Sequence, residues 1–143
     1  MNAALTKPST MDSLIGAYRS HVLGRNLPDP ASLDFTPSTR LIMVQPSGGL
    51  DLSSRLGGLL VWAYTLTDLT ASWTHTADDR LHVGVNGRTA GGARITVYSG
   101  GPFAECCGLV PLAHDQREGV SLDELYTLVG LLREHGQHER EVA

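Results

Sequence analysis

The residues with the clearest potential for chemistry lie in the segment GGPFAECCGLVPLAH at 100–114. Cys106 and Cys107 stand side by side after Glu105, and His114 follows seven residues after the second cysteine. A thiolate is the reactive form of cysteine, and a nearby imidazole base can generate it. One hypothesis is therefore a small thiol-dependent hydrolase or transferase, in which Cys106 or Cys107 is the nucleophile and His114 is the base.

The same two cysteines also have a structural interpretation. They lie in a strongly apolar loop, PFAECCGLVPL, and free cysteine is among the most buried residue types. The sequence contains no GxSxG or HExxH pattern and no phosphate-binding glycine loop. We therefore expect packing rather than catalysis, and the thiol enzyme stays the alternative.

No metal or cofactor is predicted. Structural zinc sites use two pairs of ligands with a few residues inside each pair. Here the cysteines are adjacent and no second pair exists, while His135 and His138 have Gly136 between them. Two cysteines are also too few for a disulfide framework.

Length and composition indicate one soluble globular domain. The chain has 143 residues, of which 41% are hydrophobic and 18% charged, with a net charge of −4. We expect a single domain over 1–143, with flexible tails at about 1–8 and 137–143. No stretch reads as a secretory signal or a membrane span, so we expect a cytoplasmic location and no membrane contact. All basic residues but Lys7 are arginine, which indicates a high-GC bacterial or phage source.

A nucleic-acid partner is not expected. The eleven basic residues are spread from Lys7 to Arg140 without forming a stripe, whereas nucleic-acid affinity depends on clustered positive charge. The order helix, three strands, helix over 51–135 resembles that of double-stranded RNA-binding domains. In that family the second helix opens with lysines that contact phosphates, but here it opens with SLDELYT. The resemblance is one of order only, and no site is transferred from it.

Three strands with a period of two form the strongest pattern in the chain. Apolar Leu81, Val83 and Val85 alternate with polar residues, as do the residues of 71–76 and 93–98. Turn sequences separate the three segments, which predicts an antiparallel meander with one apolar face.

Helices are predicted before this meander in the sequence, at 9–23 and 51–67, and after it, at 121–135. A further short strand is expected at 40–45, after a proline-rich connector that we expect to be extended and irregular. The predicted fold class is α+β, in the order α-β-α-β-β-β-α. Its mainly antiparallel sheet would have three to four strands, with helices packed on one face.

Two surfaces are candidates for binding. The polar face of the meander is either an ordinary solvated face or a candidate partner-binding surface. Its residues are Thr74, Thr76, His82, Asn86, Arg94, Thr96 and Tyr98. The last helix has more apolar residues than one stripe requires, so it contacts either the first helix or a second copy of the chain. These residues are Leu122, Leu125, Tyr126, Leu128, Val129, Leu131 and Leu132.

Together these patterns favour a small, non-enzymatic protein that acts through protein contacts. We expect a regulator or accessory factor with a protein partner, and a homodimer through the last helix if the surplus apolar surface meets a second copy.

Overall fold

The computed structural model of the chain describes residues 9–142, which form three α-helices and six strands. The helices are α1 (Thr10–Val22), α2 (Leu52–Ala63) and α3 (Leu122–Val142). The strands are β1 (Pro30–Thr36), β2 (Leu41–Pro46), β3 (Thr67–His75), β4 (Arg80–Arg88), β5 (Arg94–Pro102) and β6 (Arg117–Val120). The predicted tail at 1–8 lies outside the described residues.

All six strands belong to one sheet, in the order β1-β2-β5-β4-β3-β6. Every neighbouring pair is antiparallel except β2 and β5, which run parallel with Val44 opposite Val97. The predicted α+β class and the mainly antiparallel sheet are confirmed. The predicted strand number of three to four and the predicted element order are wrong, because two strands were missed.

Both missed strands form edges of the sheet. The first, β1, lies inside the proline-rich connector and begins at Pro30. Proline is tolerated at the start of a strand and on a sheet edge, where its missing N–H removes no ladder hydrogen bond. The second, β6, is four residues long and reads REGV, which is too short and too polar to show a period of two.

The core lies between the helices and one face of the sheet. Val83, Val85, Ile95 and Val97 have at most 1% of their surface exposed, which confirms the predicted apolar face. Helix α2 contacts β2 and β5, α1 contacts β1 and β2, and α3 contacts α2. The helices therefore cover a single face of the sheet.

The helix starts follow the predicted capping residues. The hydroxyl of Ser9 accepts a hydrogen bond from the Asp12 N–H at 3.1 Å. Ser121 and Glu124 form the reciprocal capping box, since each side chain accepts from the other residue's N–H.

The last helix continues beyond the predicted end at His135. It passes through Gly136 and reaches Val142, so the predicted C-terminal tail is helical as far as the structure describes it. His135 Nε2 lies 3.0 Å from Glu139 Oε1 one turn later, and this pair supports the helix across the glycine. Within residues 9–142, no helix combines the length and apolar character needed to cross a membrane.

Candidate functional site

The outer face of the sheet, opposite the helices, carries the polar residues that the sequence singled out. Thr74 lies opposite His82, and Asn86 lies opposite Thr96. Arg94 and Tyr98 project from the same side of β5 as Thr96, because alternate residues of a strand share a face. Thr76 follows the end of β3 and lines a shallow depression with His82 and Tyr98. The structure therefore brings all seven residues together on one surface.

The outer-face depression has a volume of about 240 Å³, and Tyr98 and His82 are among its lining residues. The two rings are tilted by 31° with their centroids 5.8 Å apart. Partial burial of the imidazole lowers the pKa of His82, and the Arg117 guanidinium lowers it further. His82 is therefore neutral near pH 7, so the pair presents an uncharged aromatic surface among polar neighbours.

Gly84 forms the floor beside these rings, directly opposite Tyr98 on β4. A Cβ atom added at Gly84 would meet nothing closer than His82 Nε2 at 3.9 Å, so packing within the chain does not require glycine here. Gly100 differs, because a Cβ there would lie 2.0 Å from the Leu81 carbonyl oxygen. Gly84 was not among the predicted binding residues, although a glycine inside an alternating strand signals close approach by another backbone or ligand.

Side-chain hydrogen bonds fix part of the outer face. Thr96 Oγ1 donates to Asn86 Oδ1 at 2.6 Å, and Arg117 Nη2 donates to Ser72 Oγ at 3.2 Å. Such cross-strand pairs hold rotamers in place, so a partner would meet a largely preorganised surface.

The two cysteines occupy different environments. Cys106 is fully buried in the core, and burial, assisted by Cys107 and Glu105, raises its pKa to about 12. A nucleophilic cysteine needs a lowered pKa, so Cys106 is a neutral packing residue at pH 7. Cys107 is exposed in the left-handed backbone region, with φ of 54°, and its thiol donates weakly to the Glu105 carbonyl at 3.5 Å.

His114 is held by the turn after β3. Its Nε2 donates to the Ala77 carbonyl at 2.9 Å, and its ring meets the edge of His75 at 5.4 Å between centroids. The bond to Ala77 gives the imidazole a structural role in joining two loops. Catalysis by Cys107 with His114 stays a prediction.

The chain matches no protein-family model, no curated protein and no solved structure. Within residues 9–142, no three His, Cys, Asp or Glu side chains cluster closely enough to hold a metal ion. The function therefore has to be inferred from the surfaces of the chain itself.

Proposed function

We propose that the protein is a non-enzymatic, cytoplasmic regulator or accessory factor of bacterial or phage origin, and that it binds a protein partner on the outer sheet face. The observation that carries this proposal is the one-sided architecture. All three helices cover one face of a six-stranded sheet, which leaves the other face open to contact.

The composition of the outer face supports a protein partner. Tyr98 and Met43 lie half-buried near its centre, and Arg80, Arg94 and Arg117 are exposed around them. Tyrosine, methionine and arginine are enriched in protein interfaces, and tyrosine and arginine are frequent among the residues that dominate binding energy. A mixed surface of this kind suits a reversible contact better than a permanent hydrophobic one.

Gly84 adds a second reason. A solvated face gains nothing from glycine at the middle of a central strand, where its lack of a side chain weakens the strand. An approaching partner gains direct access to the β4 backbone and to the ring faces of Tyr98 and His82. A partner that packs against Gly84 would therefore explain why the strand keeps a residue that lowers its stability.

The test is affinity capture from the source organism with the tagged full-length chain and two variants. Gly84→Arg places a large side chain at the centre of the outer face, where its Cβ has room. The matched control is Gly16→Arg, on an exposed part of α1 with nothing within 4 Å of the new Cβ. We expect the wild type and Gly16→Arg to retain the same partner. Gly84→Arg should weaken that complex by about thirtyfold, the effect of losing one strong interface residue.

Circular dichroism and melting temperature would show that both variants are folded. Equal retention of the partner by folded Gly84→Arg and by the wild type would refute binding at this face.

A further inference from the structure

A separate cavity, the arginine cavity, opens at the end of the sheet where β2 and β5 begin and β4 ends. It has a volume of about 530 Å³. Arg40, Arg88 and Arg94 line it together with Thr10 and Ser13 from the start of α1. Arg88 and Arg94 pair across the β4–β5 hairpin, and the parallel pairing of β2 with β5 brings Arg40 to the same place.

The arginine cavity concentrates positive charge in a chain whose net charge is −4. Arg88 and Arg94 are direct cross-strand partners, and like charges in opposite positions repel. The Asp68 carboxylate forms an ion pair with Arg88, at 3.7 Å from Nε, and Asp12 stands in the first turn of α1. Among residues 9–142, Arg40 and Arg94 form no ion pair, so the cavity retains an excess of positive charge.

Two of the guanidinium groups are positioned by backbone carbonyls. Arg88 Nη1 donates to the Gly92 carbonyl at 2.9 Å, and Arg94 Nη1 donates to the Thr39 carbonyl at 3.0 Å. A carbonyl orients a guanidinium without neutralising it, and each group keeps further N–H donors for a ligand. The cavity thus holds two oriented donors: Arg94 has no carboxylate partner among residues 9–142, and Arg88 is partly neutralised by Asp68.

Arg40 stands in an unfavourable backbone conformation at the same place. Its φ is 53°, in the left-handed region that glycine occupies freely and that a long side chain adopts at a cost. Strained residues of this kind concentrate at ligand sites, where the local cost is maintained for binding. The Arg40 N–H donates to the Pro37 carbonyl at 3.1 Å and closes a short turn before β2, which fixes its side chain at the mouth of the cavity.

We propose that the arginine cavity binds a small phosphate-bearing molecule, such as a nucleoside monophosphate. Guanidinium forks match phosphate oxygens in pairs, and a phosphate monoester carries a charge of about −1.5 to −2 at pH 7, which three arginines can balance. The first turn of α1 adds hydroxyls and the positive end of a 13-residue helix. The volume falls in the range of small-molecule sites and leaves space for an organic group against Leu14 and Ala93.

A free molecule fits better than a nucleic-acid strand. A strand needs cations distributed along a groove, whereas these three are gathered at one corner of the sheet. This small ligand would bind in addition to the proposed protein partner, at a second site. Its site lies at the sheet end and shares Arg94 with the outer face, but it shares no residue with the outer-face depression. Each proposal is tested by a variant outside the other site, Gly84→Arg for the partner and Arg40→Gly for the ligand, so the two can fail separately.

The test is calorimetric titration of the full-length protein at fixed ionic strength. The probes are inorganic phosphate, pyrophosphate and adenosine 5′-monophosphate, with uncharged adenosine as the ligand control. Arg40→Gly removes one guanidinium at a backbone position that glycine prefers, so the variant should fold at least as well as the wild type. Arg19→Gln, at the opposite end of α1, is the matched control for lost charge.

We expect at least one phosphate probe to bind the wild type and Arg19→Gln, and adenosine not to bind. Arg40→Gly should weaken binding by about tenfold or more, as the loss of a charged hydrogen bond does. No binding of any phosphate probe at roughly millimolar concentration would overturn the proposal. So would equal affinity in Arg40→Gly, or tighter binding of a short single-stranded oligonucleotide at the same phosphate concentration.

Discussion

At the scale of single residues, His75 shows how the local acceptors of a histidine decide its charge. Its Nδ1 lies 3.2 Å from the Leu112 carbonyl, and its Nε2 lies 2.6 Å from Asp79 Oδ1. Both partners are acceptors, so only the protonated ring can donate to both of them. The hydrogen bond to Asp79 raises the pKa of His75, although burial opposes it.

His21 has the opposite arrangement. Its Nδ1 accepts from the Ala90 N–H at 3.1 Å, which leaves Nε2 as the donor to Thr65 Oγ1 at 2.8 Å. Burial lowers the pKa of His21, and Arg25 lowers it further. The neutral ring therefore joins α1 to the turn after α2 and to the β4–β5 hairpin.

The pair of His75 and Asp79 predicts a pH-dependent contribution to stability. Because the folded pKa of His75 is raised, the contribution is fully present below pH 6.5 and disappears as the pH rises through the folded value. Asp79→Asn keeps the shape and suits the left-handed backbone, with φ of 62°, but it removes the charge. We expect Asp79→Asn to melt below the wild type at acid pH, with the difference shrinking in alkali.

Thermal melts of both proteins across this range measure the effect. Asp115→Asn, at another left-handed position with φ of 63°, is the control and should show no such trend. A difference between Asp79→Asn and the wild type that is constant with pH would contradict the charged pair.

At the scale of the elements, the two tryptophans contribute in different ways. Trp62 is fully buried on α2, and its Nε1–H donates to the Pro28 carbonyl at 3.1 Å, which ties the helix to the segment before β1. Trp73 on β3 is 6% exposed, and its Nε1–H has no hydrogen-bond partner among residues 9–142. One indole stabilises a junction between elements, and the other supplies mainly apolar volume.

Replacing each tryptophan with phenylalanine separates these roles. Trp62→Phe removes a hydrogen bond and leaves a carbonyl without its donor, whereas Trp73→Phe removes a donor that was already unpaired. We expect Trp62→Phe to have the lower free energy of unfolding, by about 1–3 kcal/mol. Urea denaturation followed by circular dichroism measures both variants. A larger loss for Trp73→Phe would show that the difference in hydrogen bonding does not decide their stability.

At the scale of the whole molecule, we propose α3 as the surface for self-association. Leu125, Leu128, Val129 and Leu132 are buried within the chain, so most of the predicted apolar surplus serves the monomer. Tyr126 stays 65% exposed, and Gly130 follows one turn later with nothing within 4 Å of an added Cβ. An exposed aromatic residue beside a glycine permits close approach of a second helix.

We expect a homodimer built on this part of α3, with a mass in solution of twice the 15.3 kDa of the chain. Light scattering after size exclusion should find Tyr126→Arg shifted to the monomer, because the charge would be buried in the contact. Tyr64→Arg, at an equally exposed tyrosine beyond the end of α2, should stay dimeric. A wild type that is monomeric at high concentration would refute self-association.

The sequence predicted the parts of this molecule that have a short-range signal. The alternation in β3, β4 and β5 and the capping at Ser9 and Ser121 depend on residues a few positions apart, and all of them are present in the structure. The polar outer face follows from the same alternation. The edge strands β1 and β6 lack such a signal, since one is flanked by proline and the other is short.

Features created by topology could not be predicted in this way. Arg40 and Arg94 meet only because β2 pairs in parallel with β5, and nothing in either segment specifies that partner. The same holds for Gly84, whose importance depends on the open face around it. The candidate face was therefore predictable residue by residue, whereas the arginine cavity was not.

The pairing of β2 with β5 also has a consequence during synthesis on the ribosome. Val44 meets its partner Val97 only after about 50 further residues, including α2, β3 and β4, have been made. At translation rates of about 5–20 residues per second this interval lasts roughly 3 to 10 s. Until then one edge of the nascent β1–β2 hairpin is unpaired, and unpaired edges template aggregation. A truncated product that stops before Arg94 would keep that edge open permanently, so we expect premature termination there to yield insoluble chains.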